Sequence, residues 1–204
     1  MLFFHLSDLL TICKTGFPFA NFGTAKYVST SVTPTRKQTL SPSFSIKVYK
    51  QYFNFASSHF MIFENGGREP LHGHNYRVQI KGEAPELAGD MVFDFLDIKP
   101  IVREVCDSLD HKLLIPKDNK LLKIFTEKKN YVIETPDESV FSIPMTDTLL
   151  LPILNTSAER LAVYISEEIR KKVLSKYNYS FTSLEVEVEE TPGQSAVYLH
   201  RETL

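Results

Sequence analysis

The chain has 204 residues, 43% of them hydrophobic and 24% charged, with a formal net charge of −2 at pH 7. This length suits a single domain with one hydrophobic core, and the absence of a net positive charge argues against a nucleic-acid partner. No apolar run approaches the ~18 residues of a membrane span, so we expect no membrane partner. The two cysteines, Cys13 and Cys106, have no CxxC spacing and predict no disulfide framework.

The first 41 residues differ in composition from the rest of the chain. Between Asp8 and Glu64 there is no acidic residue, while Ser and Thr are frequent. This composition is typical of organelle transit peptides, although a disordered leader that carries no targeting signal can have the same composition. We therefore predict that residues 1–41 are a disordered leader or a transit-like segment. The protein would then be cytoplasmic, or mitochondrial or plastidial if the segment is a transit peptide.

Residues 42–204 are predicted to form one domain that begins with strands. The run from 43 to 59 reads as a strand whose apolar phase changes near Lys50, which indicates a bulge. The run from 72 to 81 alternates cleanly and is the clearest strand in the chain. A short third strand is predicted at "MVFDF", after a loop.

Two helices are predicted in the remainder, separated by a less regular insert at residues 117–153. The first helix has Asp97 as N-cap and Pro100 in its first turn, and the second has Thr156 with Glu159 as a capping box. The insert holds a predicted hairpin, and two strands around a Pro-Gly turn close the chain. This order predicts an α+β fold, with one antiparallel sheet and both helices on one face.

The sequence "EPLHGHNYRVQI" carries the first candidate site. Alternation places His72 and His74 on the same strand face, about 7 Å apart by strand rise. His59 ends the preceding strand, and a short turn could bring it beside His72. Three histidines with an open position are the ligand set of catalytic zinc, whereas isolated strand histidines are often only polar surface residues.

Three carboxylates and a fourth histidine are further candidates. Glu69 could be a fourth ligand, a general base or a solvated turn residue. Asp110 and His111 could form a dyad in which the carboxylate fixes the imidazole tautomer, or only a polar contact at a helix end. Glu190 ends an apolar strand face, so it either binds a bidentate donor such as an amidine-like ring edge or turns out to water.

Six ordered segments together resemble the 6-pyruvoyl-tetrahydropterin synthase superfamily, which includes the 6-carboxy-tetrahydropterin synthases. The segments are "FASSH", "HGHNYRV", "MVFDFLDIK", "LDHKLL", "NTSAERLAVYI" and "VEVEETP". The resemblance spans residues 43–201 and implies the T-fold, or tunnelling fold. Members of the superfamily form barrel-shaped homo-oligomers, typically a hexamer of two trimers, with active sites between subunits.

The resemblance also implies a role for each candidate residue. His59, His72 and His74 match the zinc ligands of the family, and Asp110 with His111 matches its catalytic pair. Two other positions are implied to bind the substrate: Glu190 matches the glutamate that grips the pterin ring, and the segment with Ser157 and Glu159 helps to line the pocket.

One departure concerns the catalytic cysteine that most members carry before HGH. Here that segment is "FENGGREPLHGH", and its ExxHGH pattern resembles the subgroup in which glutamate replaces cysteine. The prediction is therefore cleavage of the side chain of 7,8-dihydroneopterin triphosphate to 6-hydroxymethyl-7,8-dihydropterin, on the folate pathway, with Glu69 as a shielded base. The alternatives are a 6-pyruvoyl- or 6-carboxy-tetrahydropterin synthase, of the tetrahydrobiopterin or queuosine pathways, and an inactive pterin-binding oligomer.

Overall fold

The structure is a computed structural model that describes residues 43–202. The leader predicted at residues 1–41, and with it the predicted location, lies outside this range. Within the described range, no helix is long and apolar enough to cross a membrane.

The first two strands form a long antiparallel hairpin that carries the predicted metal ligands. Strand β1 spans Phe44–His59 and strand β2 spans His72–Ala84. Their register shifts between Tyr49 and Asn54, which confirms the bulge predicted near Lys50. Beyond the bulge, the side chains of β1 that face the core change parity, from Val48 to Phe53 and Phe55.

The remaining elements follow in chain order. They are α1 (Phe95–Leu109), β3 (Lys112–Pro116), β4 (Lys123–Glu127), β5 (Asn130–Glu134), β6 (Val140–Pro144), a 3₁₀ turn (Met145–Asp147), β7 (Thr148–Leu151), α2 (Ala158–Tyr177), β8 (Ser183–Thr191) and β9 (Gln194–Arg201). The predicted hairpin in the insert and the two closing strands are confirmed.

The main sheet has six strands in the order β7-β3-β1-β2-β8-β9, and it is mixed rather than antiparallel. Strand β3 pairs parallel with β1, and β7 pairs parallel with β3. The prediction of a purely antiparallel sheet was therefore wrong. Strand β3 is buried over four of its five residues, so its short apolar run lacks the alternation that would have identified it.

The start of α1 differs from the prediction. Asp94, not Asp97, is the N-cap, and its side chain accepts a hydrogen bond from the Leu96 amide at 2.7 Å. The predicted strand "MVFDF" is absent from the described chain, where Met91 makes only an isolated bridge to Ala88. A capping aspartate accepts hydrogen bonds from the free N–H groups of the first helical turn. Because Asp94 caps α1, the segment predicted as a strand leads directly into the helix.

Helix α2 begins one residue later than the predicted capping box. Ser157 is its N-cap and accepts from the Arg160 amide, whereas Thr156 is fully buried and bonds to other elements. The predicted apolar stripe is confirmed, since Leu161, Ile165, Ile169 and Val173 are all buried. Helix α1 packs on β1, α2 packs on β8 and β9, and one continuous core joins both helices to the sheet.

The insert at 117–153 contains a separate antiparallel sheet in the order β4-β5-β6. A second, smaller core lies between the insert and the main domain. In it, Leu122 and Ile133 of the insert pack with Phe60, Ile62 and Ile115 of the main domain. The insert is thus packed against the segment that follows His59.

Candidate metal centre and active site

The hairpin of β1 and β2 brings three histidines together. His59 lies directly opposite His72 in the strand register, and His74 follows on the same face of β2. The ring centroid of His72 lies 4.7 Å from that of His59 and 4.7 Å from that of His74. One ligand atom from each of the three rings lies within 4.8 Å of the others. The predicted convergence of the three imidazoles is present.

Hydrogen bonds at Nδ1 orient two of these rings. His59 Nδ1 lies 3.0 Å from the Thr156 carbonyl oxygen, and His72 Nδ1 lies 2.8 Å from that of Pro70. A carbonyl can only accept, so each Nδ1 carries the proton and each Nε2 keeps its lone pair for a ligand. Backbone carbonyls thus hold both rings in the tautomer that a metal ion requires.

The Nε2 atoms of His59 and His74 are buried, and neither makes a hydrogen bond within residues 43–202. Burying a polar atom without a partner is costly. Burial, together with the neighbouring His72, lowers the pKa of His59 below its ordinary value, so its imidazole is neutral at pH 7. Two buried, unpartnered Nε2 atoms that face a third histidine fit a bound metal ion.

Glu190 ends β8 beside the three histidines. Its Oε1 lies 3.4 Å from Nε2 of both His59 and His74, and it accepts a hydrogen bond from the Tyr76 hydroxyl at 3.2 Å. Burial, and then the Glu190 charge, raise the pKa of Tyr76, so this hydroxyl stays a donor. Glu190 therefore does not turn away to bulk water but borders the histidine cluster.

Glu69 lies on the segment between the two histidine strands. Its Oε2 accepts from the Met61 amide at 3.3 Å, and its Oε1 lies 3.9 Å from His72 Nε2. The side chain is 27% exposed, so it is partly shielded and open on one side. One carboxylate oxygen is thus fixed by the backbone while the other faces the histidines.

These groups line one cleft of about 440 Å³. The residues predicted from the sequence that line it are His59, His72, His74, Glu69, Ser157, Glu159 and Glu190. The cleft therefore holds a potential metal centre, two carboxylates that border it and the first turn of α2.

Asp110 and His111 form the predicted contact, but neither lines this cleft. His111 Nδ1 lies 2.8 Å from Asp110 Oδ2, and Asp110 Oδ1 accepts from the Ala56 amide at 2.7 Å. Burial opposes ionisation, but the hydrogen bonds from Ala56 and His111 hold the pKa of Asp110 below its usual value. His111 is 84% exposed and lines a different cleft, on the side of Gly73 and Asn75.

Sequence reasoning missed three residues that support the site: Tyr76, Asn155 and Thr156. Tyr76 shares the strand face of His72 and His74, a signal that was present in the alternation. The side chain of Thr156 donates to the Phe60 carbonyl, while its own carbonyl contacts His59. Asn155 and Thr156 lie about 95 residues away in sequence from the groups they bind, so no local pattern could identify them.

Comparison with known proteins identifies the class of protein. Residues 47–201 match the family described as 6-pyruvoyl tetrahydropterin synthase. This match covers most of the chain, and the chain belongs to that family. The expected resemblance is therefore confirmed at the level of the family and of its α+β fold.

Individual members of the family show which proteins this chain is similar to. A Methanocaldococcus jannaschii protein named as a 6-carboxy-5,6,7,8-tetrahydropterin synthase is 38% identical over 146 residues, which cover 71% of this chain and 88% of the relative. The crystal structure of 6-pyruvoyl tetrahydropterin synthase from Plasmodium vivax has a TM-score of 0.73 and 31% identity, and covers 79% of this chain and 99% of its own.

A second Plasmodium vivax structure is of a variant of the same synthase in which a catalytic glutamate is replaced by alanine. It has a TM-score of 0.70 and 32% identity, and covers 79% of this chain and 99% of its own. A catalytic glutamate therefore exists in a similar member of the family.

Proposed function

We propose that this protein is a zinc-dependent pterin synthase that acts on 7,8-dihydroneopterin triphosphate. The observation that carries the proposal is the convergence of three histidines, two with buried and unpartnered Nε2 atoms, beside Glu69 and Glu190. Zinc held by His59, His72 and His74 would supply Lewis-acid activation of the hydroxyls on the substrate side chain.

Glu190 is proposed to bind the pterin ring. A pterin presents a ring N–H beside an exocyclic NH₂, and one carboxylate can accept both hydrogen bonds. Tyr76 holds this carboxylate in place through its hydroxyl. Ser157 and Glu159 border the cleft at the start of α2, where they would contact the bound substrate.

Glu69 is proposed to be the general base. Its Oε2 is held by the Met61 amide, so Oε1 is the oxygen that would take the proton from the substrate side chain. A carboxylate is a weak base in water, and its 27% exposure would fall further when substrate covers the cleft. The catalytic glutamate of the Plasmodium vivax synthase supports a carboxylate in this role.

Asp110 and His111 are proposed to act at the cleft of a second copy of the chain. They form a hydrogen-bonded pair, but within one chain they lie outside the cleft around the histidines. A homo-oligomer, which we propose to be a hexamer of two trimers, would bring His111, now highly exposed, to a neighbouring cleft. There the pair would move a proton on the face of the substrate opposite Glu69.

Two candidate products follow from different observations. The names of the relatives favour a 6-carboxy- or 6-pyruvoyl-tetrahydropterin synthase. The presence of Glu69 and the lack of a cysteine between His59 and His72 favour cleavage between C1′ and C2′ to 6-hydroxymethyl-7,8-dihydropterin. The comparisons give more support to the first candidate, and the second rests on the sequence of this one segment.

One incubation distinguishes these candidates. Purified, zinc-loaded protein is incubated with 7,8-dihydroneopterin triphosphate, and the products are identified by mass spectrometry. Release of triphosphate with a pyruvoyl product, or formation of a carboxy product, supports the first candidate, and a hydroxymethyl product supports the second. Binding without turnover would contradict the proposal and favour an inactive pterin-binding oligomer.

A further inference from the structure

The segment that carries Glu69 is a small hairpin between β1 and β2. The amide of Glu69 donates to the Met61 carbonyl at 2.9 Å, and the amide of Phe63 donates to the Gly67 carbonyl at 2.8 Å. Gly66 makes the turn possible because its φ of +81° is open to glycine without strain. The position of the Glu69 carboxylate therefore depends on where this hairpin, residues 61–69, is held.

One side of the hairpin is held by the segment before α2. The Asn155 side chain accepts from the Ile62 amide at 3.2 Å and donates to the Ile62 carbonyl at 2.8 Å. This pairing fixes the first strand of the hairpin, at Ile62. It does not reach the second strand, where Glu69 lies.

The second strand of the hairpin is held by Arg68. Its Nη1 donates to the Glu69 carbonyl at 2.9 Å, and its Nε donates to Asp137 Oδ2 at 3.1 Å. The guanidinium also lies over the ring of Phe141, 5.2 Å from its centroid, and Phe141 stacks on Phe60. With only 17% of its side chain exposed, Arg68 connects the backbone of Glu69 to the insert.

Asp137 is a fixed partner for this arginine. It lies in the turn between β5 and β6, where its Oδ1 accepts from the Ser139 amide at 3.3 Å and from the Thr135 hydroxyl. Its Oδ2 remains for Arg68. The Thr135 hydrogen bond, with help from Ser139 and Arg68, lowers the pKa of Asp137 to about 2, so the carboxylate is ionised at any working pH.

We propose that Arg68 is a positioning residue for Glu69 and that the insert is the rigid support against which Arg68 holds it. The inference rests on the proposed role of Glu69 as base. A planar guanidinium can donate to the Glu69 carbonyl and the Asp137 carboxylate at once while stacking on Phe141, which lysine or methionine cannot do. The three-stranded sheet of the insert thereby becomes part of the catalytic apparatus without contacting substrate.

A double-mutant cycle tests this link. Arg68→Met, Glu69→Gln and the double variant are compared for kcat, KM and zinc content in the full-length oligomer. Because small displacements of a reacting group are costly, we expect Arg68→Met to lower kcat about 10- to 100-fold with zinc content and KM little changed. In the Glu69→Gln background the same substitution should have no further effect. Additive losses would overturn the proposal, since Arg68 would then act independently of Glu69.

Two further variants separate positioning from general damage to the insert. Asp137→Asn keeps the capping oxygen but removes the charge that faces Arg68, and it should lower kcat in the same direction but less. Lys123→Met removes another ion pair of the insert, the 3.3 Å contact to Glu134, which includes no residue of the hairpin. It should leave kcat unchanged, and an equal loss in Lys123→Met would contradict a specific role for Arg68. If Arg68→Met does not fold, Asp137→Asn carries the same test.

A measurement independent of turnover distinguishes this inference from the proposed function. Hydrogen exchange followed by mass spectrometry reports the peptide that covers residues 61–71. Its amides should exchange at least 10-fold faster in Arg68→Met than in the parent or in Lys123→Met. If the parent protein shows no turnover but this change is seen, the support role stands and the proposed reaction fails. Unchanged exchange would overturn the support role whatever the activity.

Discussion

At the scale of single residues, the site depends on which atom of each side chain is left free. Carbonyl oxygens occupy Nδ1 of His59 and His72, and a backbone amide occupies one oxygen of Glu69. The free atoms, Nε2 and Oε1, face the same cleft. Individual substitutions should therefore separate metal binding from proton transfer.

Replacing Glu69 by Gln should abolish most turnover without loss of metal. Glutamine keeps the size and the carbonyl that accepts from Met61 but cannot accept a proton, and general bases typically contribute 10²–10⁴-fold. We expect kcat to fall by about that factor, with zinc content measured by atomic emission unchanged. Parent-like turnover in Glu69→Gln would remove this carboxylate from the reaction.

Replacing His74 by Ala should abolish metal binding, because two ligands remain where three converge. His111→Ala is the matched control, since that ring is 84% exposed and lies outside the cleft. It should retain one metal ion per chain while losing activity. Titration with zinc and a colorimetric competitor measures both, and metal loss in His111→Ala would contradict the assignment of ligands.

Cys106 should be inert to alkylation in the folded protein. It is fully buried on α1, and burial raises the pKa of its thiol to about 12. In a Cys13→Ser background, iodoacetamide at pH 8 should label Cys106 only after denaturation, as read by intact mass. Cys106→Ala should keep the parent kcat, and rapid labelling or lost activity would reopen the case for a thiol in the reaction.

At the scale of elements, much of the fold follows from periodicity and some of it does not. The bulge in β1, the apolar stripes of α1 and α2 and the closing hairpin all follow from patterns within one segment. The parallel pairing of β3 and β7 depends on which strand lies beside which after a crossover. Four or five consecutive apolar residues carry no information about that choice, so this part was not predictable.

Gly82 of β2 is an element-level constraint on how that strand packs. A Cβ added there would lie 2.6 Å from two ring carbons of Phe181, whose side chain is buried. We expect Gly82→Ala to cost about 1–3 kcal/mol of unfolding free energy, measured by urea titration. Adding Phe181→Leu to Gly82→Ala should cost less than the sum of the two single changes. Strict additivity would show that the ring does not limit this position.

At the scale of the whole molecule, the histidine cluster makes the metal-free protein sensitive to acid. The pKa of His59 in the folded chain lies below its unfolded value of 6.5, so the unfolded chain binds more protons below about that pH. The stability contributed by neutral His59 is therefore fully present above pH 6.5 and is lost as the pH falls toward the folded pKa.

The melting temperature of chelator-treated protein should therefore fall between pH 7.5 and 5.5, as measured by calorimetry. His59→Gln should show a smaller fall over the same interval because it removes the titrating group. Saturating zinc should raise the melting temperature at pH 7.5, since a ligand that binds only the folded chain stabilises it. An apo protein with equal melting temperatures at both pH values would contradict the assignment of His59 as a buried neutral imidazole.

The candidate site was predictable where family motifs and strand parity agreed, as for His59, His72, His74 and Glu190. Its supports were not, since Arg68, Asp137 and Asn155 act through contacts between segments far apart in sequence. Only the structure shows that Asp110 and His111 lie outside the histidine cleft, because their position at the end of a helix does not indicate which cleft their side chains face.

The bulge in β1 has a consequence for how the gene can tolerate insertions and deletions. Between the pairs Tyr49–Gln79 and Asn54–Arg77, β1 advances five residues while β2 advances two. Had the earlier register continued unbroken, Ala56 rather than His59 would stand opposite His72. Deleting three residues at the bulge would instead make the register continuous and keep His59 opposite His72, so the extra residues can be lost only as a set of three without displacing a ligand.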